Sequence, residues 1–176
     1  MAKELPHLAI HPLLVYSQHD VLPGHVTPLM WDLHETPDGI HFVDNPDEPL
    51  ALEHLEEDAT KPSLTSLTIT CGVLPADCPI IIKQKLGINV SDVLRGIYAA
   101  VHRRISHDEW NELSSKEQAR ITATFEERCN KSTDPQATRK NGVLRIDCLL
   151  QHTSFAGLSV SPDEEDTCIL TLRRSR

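Results

Sequence analysis

The sequence predicts an α+β domain, an antiparallel or mixed sheet with about three central helices packed on one side. Three observations predict it. Short apolar or alternating segments, the pattern of strands, lie both before and after the middle of the chain. Three helix starts follow one another between Ser91 and Glu117. Strands and helices do not alternate regularly, as a doubly wound fold requires. A chain of 176 residues fits a single domain, 1–176. Its residues 1–20 read as an extended N-terminal arm and 173–176 as a basic tail.

Residues 5–16 are apolar but broken by Pro6 and Pro12, which bias their predecessors towards extended backbone. Val26–Leu33 reads as a strand, with Pro28 confining it to an edge or a strand start. Pro37-Asp38-Gly39 is a turn, and Ile40–Val43 the returning strand. Residues 44–62 hold seven acids and three prolines. They read as a solvated loop with a helical turn near Leu50–Leu55, or as an acidic docking surface. Ser66–Cys71 alternates apolar and polar side chains, and Ile80-Ile81-Ile82 suits a buried strand. Leu86–Val90 is read as another strand.

Ser91 then serves as N-cap, with Asp92 favoured by the helix dipole. Val93, Leu94, Ile97, Tyr98, Val101 and Ile105 form one apolar helical stripe. Gly96 costs that helix about 1 kcal/mol relative to Ala, and allows a close neighbour. Ser106–Glu109 and Ser114–Glu117 are capping boxes that open a second and a third helix. Residues 130–142 read as a flexible polar loop, Val143–Leu150 as a strand, and Thr153–Val160 as a connector. Thr167–Leu172 is the closing strand.

Charge is segregated. Residues 1–60 carry twelve acids and one base, whereas 61–176 carry fourteen acids and sixteen bases; the net charge is −9. The acidic half opposes nucleic-acid binding, which rests on clustered Lys and Arg. No run of 18 apolar residues and no basic n-region followed by an apolar stretch is present, so no membrane span or secretory signal is expected. Five irregularly spaced cysteines suit a reducing compartment, and the expected location is cytoplasmic.

Several segments occur in a fixed order: H-P-L-L (His11–Leu14), W-D-L (Trp31–Leu33), A-T-K-P (Ala59–Pro62), N-V-S-D-V-L-R-G-I (Asn89–Ile97), R-I-D-C-L (Arg145–Leu149) and F-A-G-L (Phe155–Leu158). Together they resemble a family of fungal domains of unknown function, found mainly in basidiomycetes. The resemblance spans about residues 10–172. It implies an α+β domain inside the cell and carries no activity with it.

Candidate chemistry is sparse. Arg145 and Asp147 would share one face of the expected strand, either as a mutual ion pair or as an Arg clamp for a ligand carboxylate oriented by Asp147. Asp32 is either an outward strand residue or a polar group at a pocket mouth, with His34 beside it. Ten histidines invite a metal hypothesis, but there is no H-E-x-x-H, C-x-x-C or C2H2 spacing. There is no G-x-S-x-G elbow, and the glycines are spread singly with no phosphate loop. No cofactor is expected. The first reading is a binding or interaction domain for a protein partner or a small apolar ligand, with homodimer formation among its options. The second is a small cofactor-independent isomerase, cyclase or hydrolase. Its pocket would lie between sheet and helices, with Arg145, Asp147, Asp32 and His34 as catalytic groups. The third is histidine-based metal binding.

Overall fold

A computed structural model describes residues 7–16, 29–74 and 78–175. Among these residues the strands are β1 (Ala9–Ile10), β2 (Leu29–Met30), β3 (His41–Phe42), β4 (Asn45–Pro49), β5 (Thr60–Lys61), β6 (Ser66–Thr70), β7 (Ile80–Lys83), β8 (Ser154–Val160) and β9 (Thr167–Arg173). The helices are α1 (Leu52–Glu56), α2 (Val90–Val101), α3 (His107–Glu112), α4 (Ser115–Lys131), α5 (Pro135–Asn141) and α6 (Arg145–Cys148). The expected α+β class holds. The main sheet is mixed, in the order β7-β6-β9-β8, with β6 and β9 parallel and the other pairs antiparallel. A three-stranded sheet β2-β3-β4 and a two-stranded sheet β1-β5 stand beside it.

Alternation decides which face of the main sheet is buried. Leu67 and Ile69 of β6, Ile80 and Ile82 of β7, and Cys168 and Leu170 of β9 all point inward. Helix α2 lies on that inner face, with Val93, Leu94, Ile97 and Val101 wholly buried. Gly96 makes the contact possible, since a Cβ there would stand 2.8 Å from Ile82 Cδ1. Trp31 joins the same core, its ring 5.7 Å from that of Phe155.

Five local expectations give way. Leu86–Val90 is not a strand: Leu86 is wholly exposed in a turn, Gly87 has φ 110°, and only Asn89 makes an isolated bridge, with Asp58. The cap of α2 is Asn89 rather than Ser91. Its side chain accepts from Asp92 N–H at 2.8 Å, while Asp92 accepts from Asn89 N–H at 3.1 Å. Residues 130–142 contain helix α5, capped by Asp134 and started by Pro135. Val143–Leu150 is not a strand: its Arg145–Cys148 portion forms the short helix α6, where the Asp147 carboxylate turns back to accept Leu144 N–H at 2.8 Å. Thr153–Val160 is a full strand rather than a connector. Its Gly157, at φ 130°, lets the Tyr16 backbone cross so closely that a Cβ would stand 2.6 Å away.

The arm is extended only in part: Ala9–Ile10 pairs with β5, and a turn at 12–14 follows. Its 1–6 and 17–20 portions, like Val26–Pro28 of the expected strand and Arg176 of the tail, lie outside the described residues. None of the helices among the described residues is long and apolar enough to cross a membrane.

Candidate functional site

A cleft of about 440 Å3 opens where the loop after β6 meets α3, α4 and α6. Its apolar wall comes from Val73, Leu74, Leu113, Ile121, Cys148 and Leu150, and Glu109, Glu112, Glu117 and Arg120 supply charge around it. Successive capping boxes put the carboxylates there. Ser106 and Ser114 each accept from the backbone N–H of the glutamate three residues on, and each glutamate accepts the serine N–H in return. Two of the four charges are consequently spent in holding structure. Glu109 accepts from Ser106 N–H at 2.7 Å, from Cys78 Sγ–H at 2.8 Å and from Arg145 Nη2 at 2.9 Å. Burial pushes its carboxyl up, but these donors outweigh it and hold the group at about 2. Glu117 accepts from the Ser114 hydroxyl at 2.6 Å and from its backbone N–H at 2.8 Å. The side chains of Glu112 and Arg120 make no hydrogen bond or ion pair among the described residues, so they are the charges left to meet a visitor.

The wall holds two unusual groups. Leu150 sits in the left-handed region at φ 56°, a conformation that is strained for a leucine. Cys148 is half-buried, and desolvation together with the Asp147 and Glu109 carboxylates pushes its thiol up to about 12. It is therefore a neutral thiol at physiological pH, whereas nucleophilic cysteine chemistry requires the thiolate.

The residues singled out by sequence go to three places. Arg145 and Asp147 do not pair with each other. Arg145 joins Glu109 at the cleft wall, with its Nε 3.0 Å from Oε1. Asp147 is fully buried and receives Arg128 bidentately, Nε at 2.8 Å and Nη2 at 2.9 Å. The pairing locks α4 to α6, and Arg128 Nη2 also donates to Gly142 O at 3.0 Å.

Asp32 and His34 lie apart from both pairs. Asp32 Oδ1 accepts from His34 N–H at 3.0 Å and contacts His34 Nδ1 at 2.8 Å; its Oδ2 accepts from the Thr153 hydroxyl at 3.0 Å and the Ser175 hydroxyl at 2.8 Å. Burial acts to raise the Asp32 carboxyl, but the His34 and Ser175 hydrogen bonds win and hold it well below the usual carboxylate range. In nucleophilic sites the imidazole stands between acid and hydroxyl. Here the carboxylate stands between the imidazole and two hydroxyls, so the cluster works as a clip tying the chain near Ser175 to Trp31–Leu33 and Thr153. Among the described residues no three His, Cys, Asp or Glu side chains converge as a metal-holding group.

Sequence reasoning passes over Glu112, Arg120, Cys148 and Leu150 as cleft residues. The S-x-x-E boxes place two glutamates at helix starts, but nothing in them shows that α3 and α4 turn their starts towards the loop after β6.

The fold and cleft together define the class, a mixed-sheet α+β module with one helix on the sheet and a helical subassembly framing a part-apolar cleft. The chain belongs to the family of unknown function DUF6699, whose sequence profile matches residues 29–167. No curated protein and no solved structure matches it.

Proposed function

We propose that the protein is a binding module and that the cleft between the loop after β6 and helices α3, α4 and α6 is its ligand seat. One observation carries this reading: a cleft of about 440 Å3 with a largely apolar wall and two unengaged charges at its edge. That size falls within the usual range of small-molecule sites, roughly 300–1,000 Å3. The ligand chemistry that fits is a small apolar body bearing a polar or charged head, the body against Ile121 and Leu150 and the head towards Glu112 or Arg120. The strained Leu150 adds support, since strained backbone tends to persist at functional sites. An enzymatic reading has less to stand on. None of the four groups expected to supply its chemistry lines the cleft; Arg145 comes nearest to it, through Glu109, and its guanidinium is committed to that carboxylate.

The test is a fragment screen by ligand-observed NMR, using small aromatic amines and carboxylic acids. Val73 is 44% exposed, so Val73→Trp fills the mouth of the cleft without disturbing the core. Binding by the native chain and its loss in a folded Val73→Trp protein are the expected results. Fragments that bind the variant equally well would sink the reading.

A second reading has its own observation. All five residues of β4, N-P-D-E-P, are exposed, and they lie within the acidic 44–62 stretch. A basic protein partner could meet that surface through its side chains.

A further inference from the structure

The two edges of the main sheet are finished differently. At β8, Phe155 N–H donates to Trp31 O, Leu158 N–H to Leu14 O, and Tyr16 N–H to Leu158 O, so that edge is covered. At the other edge, β7 has only β6 as a strand neighbour among the described residues. The register pairs Leu67 with Ile82 and Ile69 with Ile80, and Gln84 N–H donates to Thr65 O at 2.9 Å. In an antiparallel ladder hydrogen-bonded pairs alternate with non-bonded ones. Counting from Thr65–Gln84, the bonded pairs are those of Ile82 and Ile80. The N–H and C=O groups of Ile81 and Lys83 therefore point away from β6, out of the sheet.

Their side chains point to the sheet face opposite α2. Ile81 is 58% exposed, although the residues on either side of it are buried. The chain then turns through Lys83-Gln84-Lys85-Leu86, with Leu86 wholly exposed at the tip. A shallow groove lined by Thr65, Lys83, Lys85 and Asn89 continues from the end of the strand. Lys83 and Lys85 make no ion pair among the described residues. The nearby Asp92 carboxylate is already taken by Gln84 Nε2 at 2.7 Å and by Asn89 N–H.

We infer that the β7 edge is a docking site for an extended acidic peptide segment, added to the sheet as a further strand. Its backbone would pair with Ile81 and Lys83, an apolar side chain would cover Ile81, and its carboxylates would meet Lys83 and Lys85. Strand addition draws affinity from main-chain hydrogen bonds and specificity from alternate side chains. Charge selects this occupant. A second copy pairing β7 to β7 would bring four lysines together. The acidic β4 of another copy offers Pro46 and Pro49, which have no N–H to give. Edge lysines ordinarily deter pairing; here the same two charges reject neutral and basic strands and admit acidic ones.

The experiment titrates the nitrogen-labelled full chain with a short end-capped peptide alternating valine and glutamate, and with its valine–lysine counterpart. Shift changes centred on the Ile81 and Lys83 amides, with affinity falling as salt rises, are expected for the acidic peptide. The Lys83→Glu, Lys85→Glu double variant should bind it at least about tenfold more weakly. Ile81→Pro removes an outward N–H without touching the β6 ladder and should abolish binding; should that variant not fold, the charge reversal decides alone. The inference is overturned by no response at about 1 mM peptide, by equal binding of the lysine peptide, or by self-association of the free chain that Ile81→Pro removes.

Discussion

Asp147 exposes no surface, yet it accepts three hydrogen bonds, two from Arg128 and one from Leu144 N–H. Removing one partner of a buried pair leaves an uncompensated charge, which costs about 3–5 kcal/mol. Arg128→Ala should lower unfolding free energy by that order in urea titrations. Asp147→Asn should cost less, because the neutral amide oxygen can still accept Leu144 N–H. Equal losses in the two variants would contradict this account. Glu109 makes the matching prediction in pH. Its folded carboxyl sits at about 2 against an ordinary 4.5, so the folded state binds the proton less well than the unfolded chain. That stabilisation is fully present above 4.5 and is lost as pH falls towards 2. Allowing for solvent screening it amounts to at most about 2 kcal/mol. The stability gap between the native chain and Glu109→Gln should therefore close across that window, and a pH-independent gap would show that Glu109 acts by packing alone. At this scale the sequence exposes Arg145 and Asp147 as polar residues inside an apolar stretch. Their partners stand 36 and 19 residues away, at separations no local pattern reveals.

Helix boundaries follow from side chains that satisfy the first free N–H groups, and the caps can be tested one by one. Asn89→Ala removes the acceptor for Asp92 N–H and should cost about 1 kcal/mol. Ser91→Ala, one residue inside α2, should stay within about 0.5 kcal/mol. Thermal melts that rank the two the other way would return the cap to Ser91. Asn89-x-x-Asp92 carries the capping-box logic in a less familiar spelling, so this start was legible in principle. So was α5, whose Asp134-Pro135 opening and Gly142 ending follow the Pro-first, Gly-last asymmetry. The α6 turn was not, because Leu144 is a poor cap and the turn depends on Arg128 from another helix. The strand β8 hides for a different reason. Gly157 looks like a chain break, but it is the point where Tyr16 crosses the sheet edge. Gly157→Ala combines a φ of 130° with backbone 2.6 Å from the new Cβ. It should cost more than about 1 kcal/mol, seen as a lowered melting temperature together with faster amide exchange at Leu158 and Tyr16.

The main cluster of buried side chains, to which the buried Ile121, Phe125 and Cys129 of α4 do not belong, reaches beyond the family match at both ends. Leu13 and Leu14 precede residue 29, and Leu170 follows residue 167. Leu14 has no exposed surface, and the segment carrying it closes the β8 edge through the Leu14 O and Tyr16 N–H bonds. Losing a buried leucine costs about 2–5 kcal/mol, and three are lost when the chain is cut to residues 29–167. Most of the β9 ladder, with the buried Cys168, goes as well. A domain's whole stability is about 5–15 kcal/mol, so the losses match or exceed the total. The 29–167 fragment should therefore show no cooperative urea transition, while a chain spanning 7–175 should unfold in one step. A fragment that unfolds cooperatively with a midpoint near that of the full chain would mean that the arm and the end of β9 decorate a core already complete without them. Failure to fold would instead make Leu13–Tyr16 and Cys168–Arg173 integral to the sheet, and β7 would then be the edge left for strand addition among the described residues.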